Sequence, residues 1–481
     1  MRNLLTKLVV KKSVATNLDV KQLDVTNLVA TRLPVIRSAL LIITVALFPV
    51  GQALAGPNIQ HWLTGNGGRV YFVAAPELPI VDVQIVFDAG AARDGAKHGL
   101  ALLTNDLLAE GAGGMNADKI SERFDSLGVQ FGNSSERDMS MLSLRSLTDP
   151  RYLQPGLDLL ATVLQKPDFP KAALERERNR LLRAIAQRQQ QPGALAQQAF
   201  FKAVFKKHPY HTLPGGDADT VKALKVADLR AFYNKYFVAK NAIIAIVGDL
   251  DRKQAEAVAE KLLGGLPAGQ PAATLPAVKP LAAAETVTVE HPSAQTHILM
   301  GQPGIKRGDP DYFPLYVGNH ILGGSGLIAR LSDEIREKRG LSYSTYSYFS
   351  PMHVQGPFVI GLQTRTNSAG EALKVTRDVV KQFVEQGPTA KELDAAKKNL
   401  TGGFPLRISS NKKIVSYVAM IGFYGLPLDY LDTFNKKVEA VTIAQIKDAF
   451  KRRLDPDKMV TVLVGKVDGM KASTAMLKPH Q

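Results

Sequence analysis

Apolar and polar residues alternate along this chain in a way that predicts short strands and amphipathic helices in close succession. Val70 to Gly90 reads as two strands interrupted by prolines, and His98 to Gly111 repeats leucine at helical spacing up to a glycine. Asn241 to Gly248 is almost continuously apolar, which is typical of a strand buried on both faces. Further helices are predicted around 117–127, 155–164, 170–190 and 226–236, and further strands around 129–131 and 139–147. The pattern predicts an α+β fold.

The second half of the chain repeats part of the first. Leu229–Gly248 and Ile446–Gly465 both run helix, break, apolar strand and glycine, with the same offset of 19 residues from first to last. Such self-similarity indicates a duplication. Gly264–Ala284 is rich in Pro, Gly and Ala without a period, which is typical of a linker. We therefore predict two homologous domains, each an antiparallel-rich sheet packed by helices, at 56–265 and 285–475, with the linker at 266–284.

The N-terminal 55 residues have the composition of a targeting signal. Residues 1–37 are polar and basic, Ser38–Val50 is an apolar run, and Ala53-Leu54-Ala55 has the A-x-A form of a signal-peptidase site. The apolar run is too short for a typical transmembrane helix. These features predict a signal peptide over 1–55 and a periplasmic protein that begins at Gly56. An uncleaved anchor in the inner membrane is the alternative, and only then is contact with a membrane expected.

Composition excludes several classes of site. The chain has no cysteine, so disulfides, thiolate zinc sites and cysteine nucleophiles are ruled out together. Its formal net charge is +16, but no basic run is interleaved with aromatic residues, which favours a solvated basic surface over a nucleic-acid site. The sequence also has no P-loop, no G-x-S-x-G elbow and no dinucleotide fingerprint.

The most regular run of the chain is Gly323–Phe349, which begins as a glycine-rich turn and continues as a predicted helix. Leu327, Leu331 and Ile335 recur every four residues and would form one apolar face of that helix. Cations occupy its last turn, and Gly340 stands where a left-handed cap usually ends a helix. The spacing predicts that the helix stops at this glycine.

A strand is predicted after the helix, over 341–349, with Tyr343 on one side and Tyr346 and Tyr348 on the other. Arg336, near the helix end, and Tyr343, near the strand start, then lie on either side of one sharp corner. For an arbitrary pair of residues, a surface cation and a core aromatic side chain are the simpler interpretation.

The spacing of this pair resembles a motif of the M16 peptidase family, which includes pitrilysin, insulin-degrading enzyme and mitochondrial processing peptidase. In the C-terminal half of that family an Arg is followed seven residues later by a Tyr, and here these are Arg336 and Tyr343. The resemblance implies that both side chains hold and polarise the peptide carbonyl that is cleaved. Because of the repeat it extends over nearly all of residues 60–470, and it implies two domains of the LuxS and mitochondrial processing peptidase type.

The zinc motif of the family is missing at the matching positions. Catalytic M16 chains carry H-x-x-E-H on the first helix and a third ligand, a glutamate, on a later one. Here Leu102 stands at the first His, Asn105 at the Glu, Asp106 at the second His and Ala184 at the third ligand. Leu and Ala have no lone pair to donate, and an amide is no general base at neutral pH. No metal and no cofactor are therefore expected in this chain.

Two other polar segments have simpler interpretations. His208 and His211 could suggest a metal site, but the loop contains prolines and offers no third ligand, and the family tends to have an H-P-Y turn here, which favours a packing role. The charged run Glu175–Arg188 reads as a solvated helix face.

The resemblance implies a division of labour, because the zinc positions are lost while Arg336 and Tyr343 are kept. Some bacterial M16 proteins are heterodimers of a zinc-bearing chain and a chain that supplies the Arg/Tyr pair. This chain resembles the second kind, with zinc expected in the partner subunit and a peptide or unfolded polypeptide as the shared substrate. The first alternative is a structural, assembly or peptide-binding protein of the same fold with no role in proteolysis. The second is a standalone protease with an unrecognised metal site.

Overall fold

The structure is a computed structural model, and it describes residues 56–466. The signal peptide predicted over 1–55 and residues 467–475 of the predicted second domain lie outside the described residues. The strands are β1 Gln60–Leu63, β2 Arg69–Ala74, β3 Ile80–Phe87, β4 Gly111–Ala112, β5 Met115–Asn116, β6 Gln130–Ser135, β7 Ser140–Leu147, β8 Ala242–Gly248, β9 Glu285–Glu290, β10 Gln295–Pro303, β11 Thr345–Phe349, β12 Pro357–Arg365 and β13 Val460–Gly465. The helices are α1 Leu100–Asp106, α2 Ala117–Ser126, α3 Pro150–Gln165, α4 Lys171–Arg188, α5 Pro192–Phe205, α6 Ala218–Ala223, α7 Val226–Tyr236, α8 Arg252–Leu263, α9 Tyr312–Asn319, α10 Arg330–Ser332, α11 Ala369–Gln386, α12 Ala390–Arg407, α13 Asn411–Tyr424, α14 Tyr430–Ala440 and α15 Ile443–Arg453.

Two sheets organise the chain, and the α+β prediction is confirmed. The first sheet has the order β1-β2-β8-β3-β7-β6, and the second has the order β11-β12-β10-β13-β9. Parallel pairing occurs between β2 and β8 and between β9 and β13, while the other neighbours in both sheets are antiparallel. The strands β2-β8-β3-β7-β6 of the first sheet correspond to β9-β13-β10-β12-β11 of the second, because each series has one parallel pair followed by three antiparallel pairs. A duplication predicts this correspondence.

The repeated segments have the same local structure in both halves. α7 is followed by a 3-10 turn at Ala239–Asn241 and by β8, and α15 is followed by a 3-10 turn at Pro456–Lys458 and by β13. Every residue of β8 and β13 is buried, because each strand has a neighbour on both edges and is covered on both faces. The predicted helix-break-strand unit is therefore correct in both copies.

Each sheet is covered on one face by a helix from the other half of the chain. α5 packs on β13, β10 and β9 of the second sheet, where Phe200 shares a core with Val460. α13 packs on β8, β3 and β2 of the first sheet, where Val418 shares a core with Ile243. Gly422 permits the close approach of α13, since a Cβ there would lie 2.5 Å from a Tyr71 ring carbon. α5 and α13 are thus exchanged between the two halves. Removal of either helix from its sheet would expose apolar surface to water.

The segment predicted as a linker has no helix or strand, but it packs against the body of the protein. Leu275 and Val278 are buried in the core that surrounds α5. The Ala273 carbonyl accepts a hydrogen bond from Arg93 at 2.6 Å, and the Ala272 N–H donates to Asn241 Oδ1 at 2.9 Å. These contacts fix residues 272–278 of the connection between the two halves. Within residues 56–466, no helix is both long enough and apolar enough to cross a bilayer.

Candidate functional site

The helix that would carry a zinc motif is α1, and a buried aspartate fixes where it starts. Asp94 accepts hydrogen bonds from the N–H groups of Gly99 and Ala101, both at 2.8 Å. Burial raises the pKa of Asp94 to about 7, although the two hydrogen bonds act in the opposite direction. Gly99 has a φ of +92°, a conformation that favours glycine. Gly99, which precedes the degenerate motif, therefore supplies the left-handed backbone at the start of α1.

The four positions of the degenerate motif lie on two neighbouring helices, α1 and α4. Leu102 is half-buried against the apolar core of the first half, and Ala184 is exposed. Asn105 is fully buried, and its Nδ2 donates to the Met141 carbonyl at 3.3 Å. Neither aliphatic side chain can coordinate a metal, and the Asn105 amide is used in packing α1 against β7.

Asp106, at the position of the second His, belongs to an ion-pair network between the two helices. Arg180 donates to Asp106 Oδ2 at 3.0 Å and also pairs with Glu177, while Arg176 pairs with Glu110. Burial raises the pKa of Asp106 to about 6, the Arg180 charge lowers it, and the carboxylates of Glu177 and Glu110 raise it further. Each of the three carboxylates therefore has a guanidinium partner within salt-bridge distance.

The network corrects the prediction that the charged run Glu175–Arg188 is a solvated helix face, at Glu177. Glu177 is buried on the side of α4 that lies toward α1. Arg180, one turn later, contacts both Glu177 and Asp106 and so bridges the two helices. The pair of Glu177 and Arg180 could be predicted from the sequence, because the two residues are three apart on one helix. The contact of Arg180 with Asp106 on α1 could not. Across the described part of the chain, no group of three or more His, Asp and Glu side chains could hold a metal ion.

The Arg/Tyr segment differs from the single helix predicted for it. The chain forms a π-helical turn at His320–Gly324, a 3-10 turn at Gly326–Ile328, α10, and a second π-helical turn at Asp333–Glu337. Ala329 is extended between them, so the helical spacing is interrupted. Leu331 and Ile335 are buried as predicted, but Leu327 is 57% exposed, and the prediction that it belongs to the same apolar face is wrong.

The end of this segment follows the sequence more closely. Gly340 has a φ of +59°, which confirms the predicted left-handed cap. Its N–H donates to the Arg336 carbonyl at 2.9 Å, and the Leu341 N–H donates to the Ile335 carbonyl at 2.9 Å. The Arg336 side chain is partly exposed and pairs with Glu337 at 3.3 Å. Its guanidinium is therefore held at the surface by one neighbouring carboxylate.

Tyr343 lies before the strand rather than inside it. β11 begins at Thr345, because Ser342 Oγ donates to the Ser344 carbonyl at 2.8 Å and holds 342–344 as a local turn. Ser342 is buried, whereas Tyr343 is 88% exposed, so the turn projects the tyrosine ring into solvent. Within the described residues no hydrogen bond joins the side chains of Tyr343 and Arg336. The two predicted site residues share one segment, and both side chains reach solvent.

Glycines close the outer edge of β11, the edge strand of the second sheet. A Cβ on Gly323 would lie 2.4 Å from Ser347 Oγ and 2.6 Å from the Ser347 nitrogen. Asn319 Nδ2 donates to the Ser347 carbonyl at 2.9 Å and occupies the same edge. The Gly-Gly pair at 323–324 is therefore required for packing, which explains the glycine-rich turn without a phosphate site.

The H-P-Y turn has the packing role predicted for it. Tyr210 is fully buried, and its hydroxyl donates to Asp138 Oδ1 at 2.6 Å. His208 hydrogen-bonds the Pro276 carbonyl through Nε2 at 2.9 Å and accepts the Tyr210 N–H through Nδ1 at 3.1 Å. Burial lowers the pKa of His208, which favours the neutral ring that these two contacts require. The turn ties the first half to the linker.

Comparisons with known proteins agree with this geometry. The family described as "Insulinase (Peptidase family M16)" matches residues 69–213, and the family described as "Peptidase M16 inactive domain" matches residues 223–400. An uncharacterized zinc protease from Streptomyces coelicolor is 30% identical over 339 residues, which is 69% of this chain and 72% of the relative. This chain belongs to the M16 peptidase family.

Other M16 relatives are described as inactive. A crystal structure of a peptidase M16 inactive domain from Pseudomonas fluorescens matches with a TM-score of 0.83 and 42% identity, covering 85% of this chain and 98% of that one. A non-peptidase homolog, YmxG, from Helicobacter pylori is 26% identical over 392 residues, 80% of this chain and 89% of the relative. The residues at 102, 105 and 184 agree with these descriptions, because this M16 chain keeps the fold and lacks two zinc ligands and the general base at these positions.

Proposed function

We propose that this chain is the non-catalytic subunit of a periplasmic heterodimeric M16 zinc protease. Its zinc-bearing sister chain supplies the metal and the general base, and this chain supplies Arg336 and Tyr343 to the shared active site. The substrate is a peptide or unfolded polypeptide, whose scissile carbonyl the two side chains bind and polarise. The observation that carries the proposal is the outward projection of Tyr343, which is 88% exposed in a chain whose own zinc positions are lost.

The chemistry of the pair supports this role. A phenol donor and a guanidinium stabilise an oxyanion when their geometry is fixed before the substrate arrives. The Gly340 cap and buried Leu341 and Ser342 fix the backbone before Tyr343, and buried Thr345 fixes it after Tyr343. Both donors face away from the core, so they are available to a second chain and its substrate.

The first test mixes this chain with an M16 chain that carries H-x-x-E-H and measures cleavage of a quenched fluorescent peptide. This chain alone is expected to be inert and free of zinc, and the mixture is expected to cleave faster than the sister chain alone. Arg336→Ala or Tyr343→Phe is expected to lower turnover by about a hundredfold, the usual loss for one oxyanion donor. Co-elution of the two chains should be unchanged in both variants.

Arg365→Ala is the matched control, since Arg365 is an exposed arginine in the same half. It is expected to leave turnover unchanged. A mixture that gains nothing over the sister chain, or variants that cleave as fast as wild type, would refute the shared site. In that case a structural or peptide-binding role of the M16 fold replaces the proposal.

The periplasmic location has a separate test. Mass spectrometry of the chain from a periplasmic extract is expected to show Gly56 as the first residue. Recovery of the chain only with inner-membrane vesicles, with residues 1–55 intact, would instead identify an anchor.

A further inference from the structure

A cavity of about 420 Å³ opens in the second half of the chain. It is formed by the turn at 307–310, the first turn of α9, the turn between α13 and α14, and the end of α14. Its walls are mainly apolar and aromatic, with Tyr312, Phe313, Leu426, Tyr430 and Val441 among them. The volume lies within the range of about 300–1,000 Å³ that is usual for small-molecule sites.

Two cations line this apolar cavity. Arg307 lies 5.3 Å from the centroid of the Tyr424 ring and 6.0 Å from that of Tyr312, and Lys437 lies 5.7 Å from that of Phe313. Within residues 56–466, neither cation has a carboxylate partner within salt-bridge distance. Arg307 Nε is moreover a buried donor without an acceptor, and a buried donor of that kind favours an anion close to it.

The one carboxylate in the lining does not neutralise these cations. Asp309 pairs with Arg453 at 2.8 Å and accepts the Asp311 N–H at 2.9 Å. Arg452 and Arg453 together also neutralise Asp311, at 2.7 Å and 2.6 Å. The positive charge of Arg307 and Lys437 therefore stays uncompensated beside an aromatic wall.

We propose that this cavity binds a small amphiphilic carboxylate, with its apolar body against the aromatic wall and its carboxylate on Arg307 and Lys437. The guanidinium supplies the planar fork that matches a carboxylate, and the ammonium supplies a second charge. This site goes beyond the proposed function, because Arg336 and Tyr343 are not among the residues that line it.

Calorimetric titration of the purified full-length chain tests the proposal, with octanoate as the probe. Octanoate is expected to bind saturably, whereas 1-octanol, which has the tail alone, and acetate, which has the charge alone, are each expected to bind at least about tenfold more weakly. Arg307→Gln and Lys437→Gln are each expected to weaken octanoate binding about tenfold, because each removes one charge-assisted contact.

Lys436→Gln is the matched control, since Lys436 is the exposed neighbour of Lys437 on α14. It is expected to leave octanoate affinity unchanged. If Arg307→Gln fails to fold, Lys437→Gln decides the question, because Lys437 lies on the helix surface. Absence of saturable octanoate binding would overturn the proposal, as would an equal loss of affinity in Lys436→Gln.

Discussion

Burial separates the roles of two tyrosines in this chain. Tyr210 is fully buried and its hydroxyl donates to Asp138, which also accepts the His353 N–H at 2.8 Å. Tyr343 is exposed on a fixed turn and makes no hydrogen bond within the described residues. The first hydroxyl therefore contributes to stability, and the second is free to act on another molecule.

Removing each hydroxyl separates these roles by measurement. Tyr210→Phe leaves Asp138 without its shortest hydrogen bond and is expected to lower the free energy of unfolding by about 1–3 kcal/mol. Tyr343→Phe is expected to change it by less than about 0.5 kcal/mol, since the side chain is exposed. Urea unfolding followed by circular dichroism gives both values, and a large loss in Tyr343→Phe would contradict the assignment.

Asp106 predicts a pH dependence of stability. Its pKa is raised from the ordinary value of 3.8 to about 6 in the folded chain, chiefly by burial. The native state therefore binds more protons than the unfolded state between these two values, and the stability that Asp106 contributes falls as pH rises. This contribution is full below about pH 4 and is lost above about pH 6.

The difference in unfolding free energy between wild type and Asp106→Asn isolates the network of this group, because the titrations of groups that do not interact with Asp106 cancel. The wild type is expected to lose stability relative to the variant as pH rises from about 4 to about 6. Urea unfolding at pH steps across this window provides the measurement. A flat difference, or one that grows with pH, is incompatible with a raised pKa.

At the scale of elements, the outer edge of the second sheet depends on the absence of side chains at 323 and 324. Asn319 and the Gly-Gly pair cover β11, so its edge is closed to another strand. Gly323→Ala would place a methyl group 2.4 Å from Ser347 Oγ, and the turn would have to move away from the strand.

Gly323→Ala is therefore expected to destabilise the chain by about 1–3 kcal/mol, as overpacking does. Gly402→Ala in α12 is the control, because a Cβ there meets nothing within 4 Å. This second change is expected to stabilise the chain by up to about 1 kcal/mol through helix propensity. Thermal unfolding of both variants tests the contrast, and equal shifts of the midpoint would refute it.

For the whole molecule, the exchange of α5 and α13 determines cooperativity. Each sheet buries one face against a helix from the other half, and Leu275 and Val278 of the linker are buried in the core around α5. Both halves are therefore expected to unfold in one transition, although each has the size of an independent domain.

Trp62, the only tryptophan of the chain, lies in β1 of the first sheet and reports on this coupling. Phe200→Ala removes a ring, 1% exposed, that packs on the second sheet, and such truncations cost about 3–5 kcal/mol. The free energy of unfolding measured from Trp62 fluorescence in urea is expected to fall by that amount. The value measured by circular dichroism is expected to fall equally. The control Leu406→Ala, at a residue 69% exposed, should shift neither. A Trp62 transition that stays in place in Phe200→Ala would show that the halves unfold separately.

Much of this protein follows from its sequence because neighbouring residues decide it. Helical spacing and an apolar run located α7 and β8, and the same pattern located α15 and β13. Gly340 ended its helix because left-handed backbone favours glycine. The loss of zinc ligands at 102 and 184 is also a property of the sequence, since aliphatic side chains cannot coordinate a metal in any fold.

Only the tertiary structure decided the features that join residues distant in the sequence. The bridge from Asp106 to Glu177 through Arg180, the exchange of α5 and α13, and the packed linker all depend on the path of the chain. The exposure of Leu327 was missed, and Tyr343 was placed inside the strand instead of in the turn before it, because spacing defines a face of an element but not what covers it. Periodicity is local, whereas burial is set by contacts across the whole molecule.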